Sequence, residues 1–157
     1  LIQDYLHLGG KIGVLLELSI REANLIDNEE VISVAKDLTM QIAAAKPEYI
    51  HREEIPSSVI EKEKSIYKAQ AVNEGKPEKV AEKITIGRLQ KFYKETCLAE
   101  QEFIKDPDLT VAKVIDQVAQ SAGSEIKVIK FARFEKGEGL QKRGDDFVAE
   151  VMSQMKG

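Results

Sequence analysis

The sequence predicts an α+β fold, in which a small antiparallel sheet packs with helices and an antiparallel helical hairpin protrudes. Two β-rich stretches lie near the ends of the chain, at residues 1–18 and 126–134, and helical apolar patterns lie between them. A tight Gly75-Lys76-Pro77 break interrupts the longest of these helical patterns. A chain of 157 residues suits one domain, and a charged fraction of 32% is typical of a molecule with much surface.

The first strand pair is predicted at the beginning of the chain. Residues 1–7 alternate imperfectly, and a compact apolar run from Ile12 to Leu18 follows the turn Leu8-Gly9-Gly10-Lys11. This pattern predicts a β-hairpin with one covered face. The glycine pair is a weak candidate for a phosphate-binding loop, because a strand rather than a helix follows it.

A helix is predicted after this strand pair, with Asp27 as its cap and Glu30 completing a capping box. Pro47 ends this helix, because the residue before a proline is driven out of the helical conformation. The apolar stripe of the helix consists of Val31, Val34, Ala35, Leu38, Ile42 and Ala45.

Residues 56–95 predict the helical hairpin. Its first helix begins at Ser57 or Ser58, and Gly75 suits the left-handed position after the helix end. Pro77 suits the first turn of the second helix, and so short a connection makes the two helices antiparallel. Gly87 in the second helix predicts the close approach of another backbone.

The remaining elements complete the predicted organisation. Residues 105–108 predict a surface turn, and Thr110 caps a helix that Gly123 ends. Residues 126–134 predict a central or twisted strand, and a last helix begins at Asp145 or Asp146. The predicted units are an α+β core at 1–55 and 96–140, the inserted hairpin at 56–95, and a C-terminal helical module at 141–157.

Composition and spacing argue against several classes of function. The net charge of −4 argues against nucleic acid as a direct partner, and no apolar run approaches the roughly 20 residues of a membrane span. The single cysteine, Cys97, predicts a buried structural thiol. His7 and His51 have no metal-ligand neighbour at helical spacing. The sequence therefore predicts no metal, no cofactor and no enzyme site.

A series of short motifs runs along almost the whole chain, and it includes Tyr5-Leu6-His7, Met40-Gln41-Ile42-Ala43-Ala44, Asn73-Glu74-Gly75-Lys76-Pro77, Phe103-Ile104-Lys105-Asp106-Pro107 and Arg133-Phe134-Glu135-Lys136-Gly137. In this order the motifs resemble elongation factor Ts, the nucleotide-exchange factor for elongation factor Tu. The chain departs from that family at Gln41 and Ile86, where members usually have histidine and glutamate, and at Glu102, where they often have proline.

A larger departure concerns the family's Thr-Asp-Phe-Val motif, which its members push towards the nucleotide and magnesium site of elongation factor Tu. At the corresponding position after the second strand, this chain has Glu22-Ala23-Asn24-Leu25. Two explanations are open: the chain is the second half of a longer member, or it is a member whose motif has degenerated. We favour the fragment, because Leu1 lies inside an apparent strand.

The resemblance implies that the chain binds elongation factor Tu in the bacterial cytoplasm, or in an organelle matrix or stroma. It also implies that the chain causes little or no release of GDP from elongation factor Tu. Phe147, at the start of the last helix, would reach the nucleotide-binding domain of the partner. The alternative is a structural module that dimerises through the hairpin, or a homodimer through the sheet. Each implied contact residue also has a purely structural interpretation, as a turn, helix-face or core residue. The implied contacts with the partner's third domain are His7, Lys36, Asp37, Ile104 and Lys105.

Overall fold

The computed structural model describes residues 1–140, which form four α-helices and five strands and confirm the α+β class. Residues 141–157, with the predicted last helix and Phe147, lie outside the described residues. The elements are β1 (Ile2–His7), β2 (Ile12–Ile20), α1 (Glu29–Ala45), α2 (Ser57–Asn73), α3 (Glu78–Thr96), β3 (Glu102–Phe103), β4 (Asp106–Thr110), α4 (Val111–Ala122) and β5 (Ile126–Glu135).

The main sheet is antiparallel and has the strand order β1-β2-β5. The predicted hairpin of β1 and β2 is confirmed, and its turn places Gly9 and Gly10 at φ angles of +65° and +84°. The sequence predicts a central or twisted strand at residues 126–134, and the central position is wrong, because β2 pairs on both sides and β5 lies at the edge of the described sheet. A register shift at Glu17/Leu18 increases the local twist between β2 and β5.

Helix α1 packs on one face of this sheet and forms the centre of the core. Its cap is Asn28 rather than the predicted Asp27, because the Asn28 side chain accepts hydrogen bonds from the backbone of Glu30 and Val31. The Glu30 carboxylate accepts instead from Ser121 on α4, so the predicted capping box does not form. Ala45 is exposed at the helix end, but the rest of the predicted stripe is buried: Val31, Val34, Ala35, Leu38 and Ile42.

Helices α2 and α3 form the hairpin, and the start at Ser57 and the left-handed Gly75 are confirmed. The predicted close approach at Gly87 is wrong, because a Cβ atom there would meet no atom within 4 Å. Few side chains of the hairpin are buried, namely Ala71, Ala81, Leu89 and Tyr93. Several apolar side chains stay exposed, namely Ile66, Val72, Val80 and Ile86.

A small second core joins the hairpin to the rest of the fold. Arg52 lies over the ring of Tyr93, with its Cζ atom 4.6 Å from the ring centroid. The Arg52 Nε–H also donates to the Glu100 carboxylate at 2.7 Å, which raises the pKa of Arg52. Cys97 is fully buried in this cluster, as predicted, and its burial raises the pKa of the thiol.

Strands β3 and β4 form a two-stranded ribbon before α4. The surface turn predicted at residues 105–108 is wrong, because Asp106 already belongs to β4 and the turn lies at Ile104 and Lys105. The cap at Thr110 is confirmed by its hydrogen bond from the Lys113 backbone, and Gly123 ends α4 in the left-handed conformation.

The outer face of the main sheet exposes several apolar side chains, with Asp4, Glu17 and Lys130 among them. Leu6 on β1 lies opposite Gly13, and Gly13 lies opposite Phe134 on β5, so that these residues form one row across the three strands. Phe134 and Leu6 are 67% and 70% exposed, and Ile2 and Leu15 on the same face are also exposed. Successive side chains of a strand point to opposite faces of the sheet. Since one face is buried under α1, the side chains between the buried ones lie on the exposed face.

Candidate functional site

The turn between β3 and β4 lies against the middle of α1. The Lys105 Nζ atom is 2.6 Å from the Asp37 carboxylate, and the Asp37 side chain is far less exposed than that of Lys105. Lys36 is exposed beside Asp37, and Ile104 is 42% exposed, so Ile104 is not a core residue. Four of the six sequence-predicted residues thus form one surface, which we call the α1–turn surface: Lys36, Asp37, Ile104 and Lys105.

His7 lies at the end of β1 and is half-buried. Its Nδ1 atom is 2.8 Å from the Tyr5 hydroxyl. Within residues 1–140, the His7 side chain forms no other hydrogen bond. The structure therefore does not bond His7 to the α1–turn surface. Phe147 lies outside the described residues.

Two buried amides behind the α1–turn surface were not assigned to the site from the sequence. Gln41 on α1 and Gln101 before β3 are 1% and 4% exposed, and the Gln41 Nε2 donates to Gln101 Oε1 at 3.0 Å. The Gln41 Oε1 atom accepts from the backbone N–H of Ile104 at 2.8 Å. The available signal was a glutamine beside Leu38 and Ile42 on the apolar face of a helix, where a polar side chain needs a buried partner.

The end of α1 is held to β5 by a second polar cluster. Arg133, whose side chain is 8% exposed, donates to the Ala43 carbonyl at 3.3 Å and to the Glu135 carboxylate at 2.9 Å. Lys46, in the left-handed position after α1, lies 2.8 Å from the same carboxylate. Hydrogen bonds from Lys46 and then Arg133 hold the pKa of Glu135 below its ordinary value. This cluster fixes α1, which carries Asp37, against the sheet.

The segment after β2 forms an exposed tip at the opposite end of α1. Residues Ala23–Leu25 make one 3₁₀ turn, and Glu22, Ala23 and Asn24 are exposed. The Glu22 backbone N–H donates to the Ser124 hydroxyl at 3.3 Å, which places the tip beside the end of α4. The tip carries no aromatic side chain.

The remaining features of residues 1–140 concern metal ligands, an apolar groove and helix length. Among residues 1–140, no group of three histidine, cysteine or acidic side chains is placed to hold a metal ion. An apolar groove of about 370 Å³ lies between α4 and the start of β5, with Leu98, Ile115 and Ile126 in its lining. Within the same residues, no helix has the length and apolar character that crossing a membrane requires.

Comparison with known proteins identifies the family. The family model for elongation factor Ts matches residues 1–138. The chain belongs to the elongation factor Ts family. Elongation factor Ts of Desulforamulus reducens is 54% identical over 155 residues, which are 99% of this chain and 71% of that protein. The corresponding protein of Acetivibrio thermocellus is 50% identical over 99% of this chain and 73% of its own length. The protein of Clostridium kluyveri is 48% identical over the whole chain and 50% of its own length.

The match to elongation factor Ts includes the α1–turn surface and the exposed tip after β2. Residues 1–138 contain the α1–turn surface, the buried amides behind it and the Glu22–Leu25 tip. The family is one of translation elongation factors, and the name places this chain among proteins of protein biosynthesis.

Proposed function

We propose that the chain binds elongation factor Tu in translation elongation, as part of a guanine-nucleotide exchange factor. The α1–turn surface contacts the third domain of elongation factor Tu, and His7 at the end of β1 makes a separate contact with that domain. The ion pair of Asp37 and Lys105 supports this role, because it fixes a charged side chain beside the exposed apolar side chain of Ile104. Phe147 contacts the nucleotide-binding domain.

The chain acts by binding and carries out no chemical step. An exchange factor binds the nucleotide-free state of its GTPase more tightly than the GDP-bound state, and linkage requires that it weaken GDP binding by the same factor. Coupling between separate sites is typically ~1–3 kcal/mol. Fast GDP release therefore also needs direct distortion of the phosphate and magnesium contacts.

The exposed tip at Glu22–Leu25 is the observation that carries the proposal on GDP release. Its side chains are a carboxylate, a methyl group, an amide and a half-buried leucine, so the tip presents no aromatic side chain to the partner. A tip of this composition leaves the nucleotide site of elongation factor Tu undisturbed. The chain thus binds elongation factor Tu with little or no GDP release, in the bacterial cytoplasm or in an organelle matrix or stroma.

Analytical ultracentrifugation of the chain with elongation factor Tu tests the binding. A mixture with ~10 µM of each protein is expected to sediment as a complex, because a Kd of ~1 µM, which corresponds to about −8 kcal/mol, leaves most of both proteins bound at that concentration. Sedimentation as two separate species at ~100 µM would contradict the proposal, because that result corresponds to a standard binding free energy weaker than about −5.5 kcal/mol.

A second candidate function is self-association as a structural module. The exposed apolar row of Leu6 and Phe134 on the sheet favours it, as do the exposed Ile66 and Ile86 on the hairpin. Apolar patches of this kind are typical of protein–protein contacts. A second copy of the chain is the proposed occupant, through either the sheet or the hairpin.

Sedimentation equilibrium of the chain alone tests this candidate. A homodimer through the sheet is expected to dissociate in Phe134→Glu and to persist in Ile86→Glu, and a homodimer through the hairpin is expected to respond in the opposite way. A stable dimer that ignores elongation factor Tu would favour the structural module over the exchange-factor role. A monomer at all concentrations would exclude it.

A further inference from the structure

The turn that carries Lys105 is hydrogen-bonded to α1 from the inside through the side chain of Gln41, next to the buried Phe103. The Gln41 Nε2 donates to the Glu102 carbonyl at 3.2 Å, and the Gln41 Oε1 accepts from the Ile104 N–H at 2.8 Å. One amide therefore bonds the backbone on both sides of Phe103. This attachment is separate from the outer ion pair between Asp37 and Lys105.

Gln41 is itself held in one orientation. Its Nε2 donates to Gln101 Oε1 at 3.0 Å, and the Gln101 Nε2 donates to the Glu95 carbonyl at the end of α3 at 2.8 Å. The Val111 N–H donates to the Gln101 carbonyl at 3.0 Å, which ties the same segment to the start of α4. Flipping the Gln41 amide would turn its NH₂ group towards the Ile104 N–H, so that two donors would face each other. In the observed orientation, no buried side-chain nitrogen or oxygen atom among the described residues lacks a partner.

We propose that Gln41 is a positioning residue, which locks the β3–β4 turn against α1 and so fixes Lys105 and Ile104 at the α1–turn surface. A buried amide suits this task because it donates and accepts at the same time without carrying a charge. An apolar side chain of the same size would fill the space but remove both hydrogen bonds to the turn, which would then be held by the buried Phe103 and the outer ion pair. The inference rests on the proposed function only for its effect on partner binding.

Amide hydrogen exchange of the free chain, followed by NMR, tests the lock without any partner. In the unmodified chain, the Ile104 amide is expected to exchange at least ~100-fold more slowly than an open turn amide, because its acceptor is a buried side-chain oxygen. Exchange of Ile104 at the rate of an open turn would overturn the proposal. This measurement uses the unmodified chain, so the test does not depend on whether any variant folds.

Gln41→Met and Thr39→Val form a matched pair of variants. Thr39 is also fully buried on α1, but its hydroxyl donates to the Lys36 carbonyl at 2.7 Å within the same helix and does not reach the turn. Gln41→Met is expected to speed the exchange of Ile104 at least ~10-fold relative to core amides, and Thr39→Val to leave that ratio unchanged. An equal loss of protection at Ile104 and in the core of Gln41→Met would indicate a merely structural role and overturn the proposal.

Affinity for elongation factor Tu supplies the functional measurement. Gln41→Met is expected to weaken binding ~5–10-fold, Thr39→Val less than ~2-fold, and Lys105→Ala is expected to add little when Gln41→Met is already present. Fully additive effects, or a Gln41→Met affinity equal to that of Thr39→Val, would overturn the positioning role. If the unmodified chain does not bind elongation factor Tu, the proposed function fails, and the exchange measurements on the free chain still decide whether Gln41 locks the turn.

Discussion

The Asp37 carboxylate and the Lys105 ammonium form an ion pair of 2.6 Å between α1 and the β3–β4 turn, and the two partners differ in exposure. The Asp37 side chain is 14% exposed, whereas that of Lys105 is 54% exposed. The carboxylate therefore belongs to the helix surface, and the ammonium remains accessible from outside. An accessible charge that is held in place by an enclosed one is a suitable contact for a partner protein.

Lys105→Ala is expected to weaken binding to elongation factor Tu about tenfold, which corresponds to about 1.4 kcal/mol. The free energy of unfolding is expected to fall by no more than about 1 kcal/mol, because the ammonium is half-exposed and solvent screens the pair. Isothermal titration calorimetry and urea unfolding measure the two quantities. Lys91→Ala, at an exposed lysine paired with Glu95 on α3, is the matched control. Equal affinities of both variants would contradict the assignment.

Arg133→Met is expected to lower the free energy of unfolding by about 1–3 kcal/mol, because charge-assisted hydrogen bonds of a buried group are lost. The guanidinium is 8% exposed and donates to both Ala43 and Glu135, which connects β5 to the end of α1. Lys130→Met, at an exposed lysine on the same strand, is the control and is expected to change stability by less than about 0.5 kcal/mol. Urea unfolding followed by circular dichroism compares them, and equal stabilities would show that the cluster is unimportant.

Glu135→Gln is expected to change how stability depends on acid pH. The pKa of Glu135 is lowered in the folded chain by hydrogen bonds from Lys46 and Arg133, so the unfolded chain binds the proton first as the pH falls. The stabilisation is therefore present above the ordinary value of 4.5 and is lost as the pH falls through the lower folded-state pKa. Thermal unfolding between pH 3 and 7 is expected to be less pH-dependent in Glu135→Gln than in Glu82→Gln, at an exposed glutamate of α3. Identical pH profiles would contradict this role of the cluster.

The Cys97 thiol is expected to be almost unreactive in the folded chain. It is fully buried, and its burial raises the pKa of the thiol, so both access and the thiolate fraction are low. Its reaction with Ellman's reagent at pH 8 is expected to be at least ~100-fold slower than in 6 M guanidinium chloride. Rapid labelling of the native chain would mean that the small core at the base of the hairpin opens readily.

Periodicity and turn chemistry predicted the elements that depend on local sequence. The stripe of α1, the stops at Gly75 and Gly123 and the cap at Thr110 follow from neighbouring residues, and each is confirmed except that Ala45 at the end of the stripe is exposed. The α1 cap was misplaced by one residue, because Asp27 and Asn28 are both good caps and only the geometry of the preceding 3₁₀ turn selects Asn28.

The features that depend on distant residues could not be predicted from spacing. The edge position of β5 follows from its pairing with β2, more than a hundred residues away. The Gln41–Gln101 pair and the Asp37–Lys105 pair also join residues separated by about sixty positions. Resemblance to the family supplied Lys36, Asp37, Ile104 and Lys105 as one group, and spacing alone does not group them.

Stopped-flow release of mant-GDP from elongation factor Tu, measured with saturating chain, tests the central claim most directly. The unmodified chain is expected to leave the release rate within ~2-fold of the spontaneous rate, because in the proposed function the Glu22–Leu25 tip does not distort the nucleotide site. The combined variant Glu22→Thr, Ala23→Asp, Asn24→Phe and Leu25→Val, which restores the family motif at the tip, is expected to accelerate release at least ~10-fold. Rapid release with the unmodified chain would contradict the claim that it binds elongation factor Tu without driving nucleotide exchange.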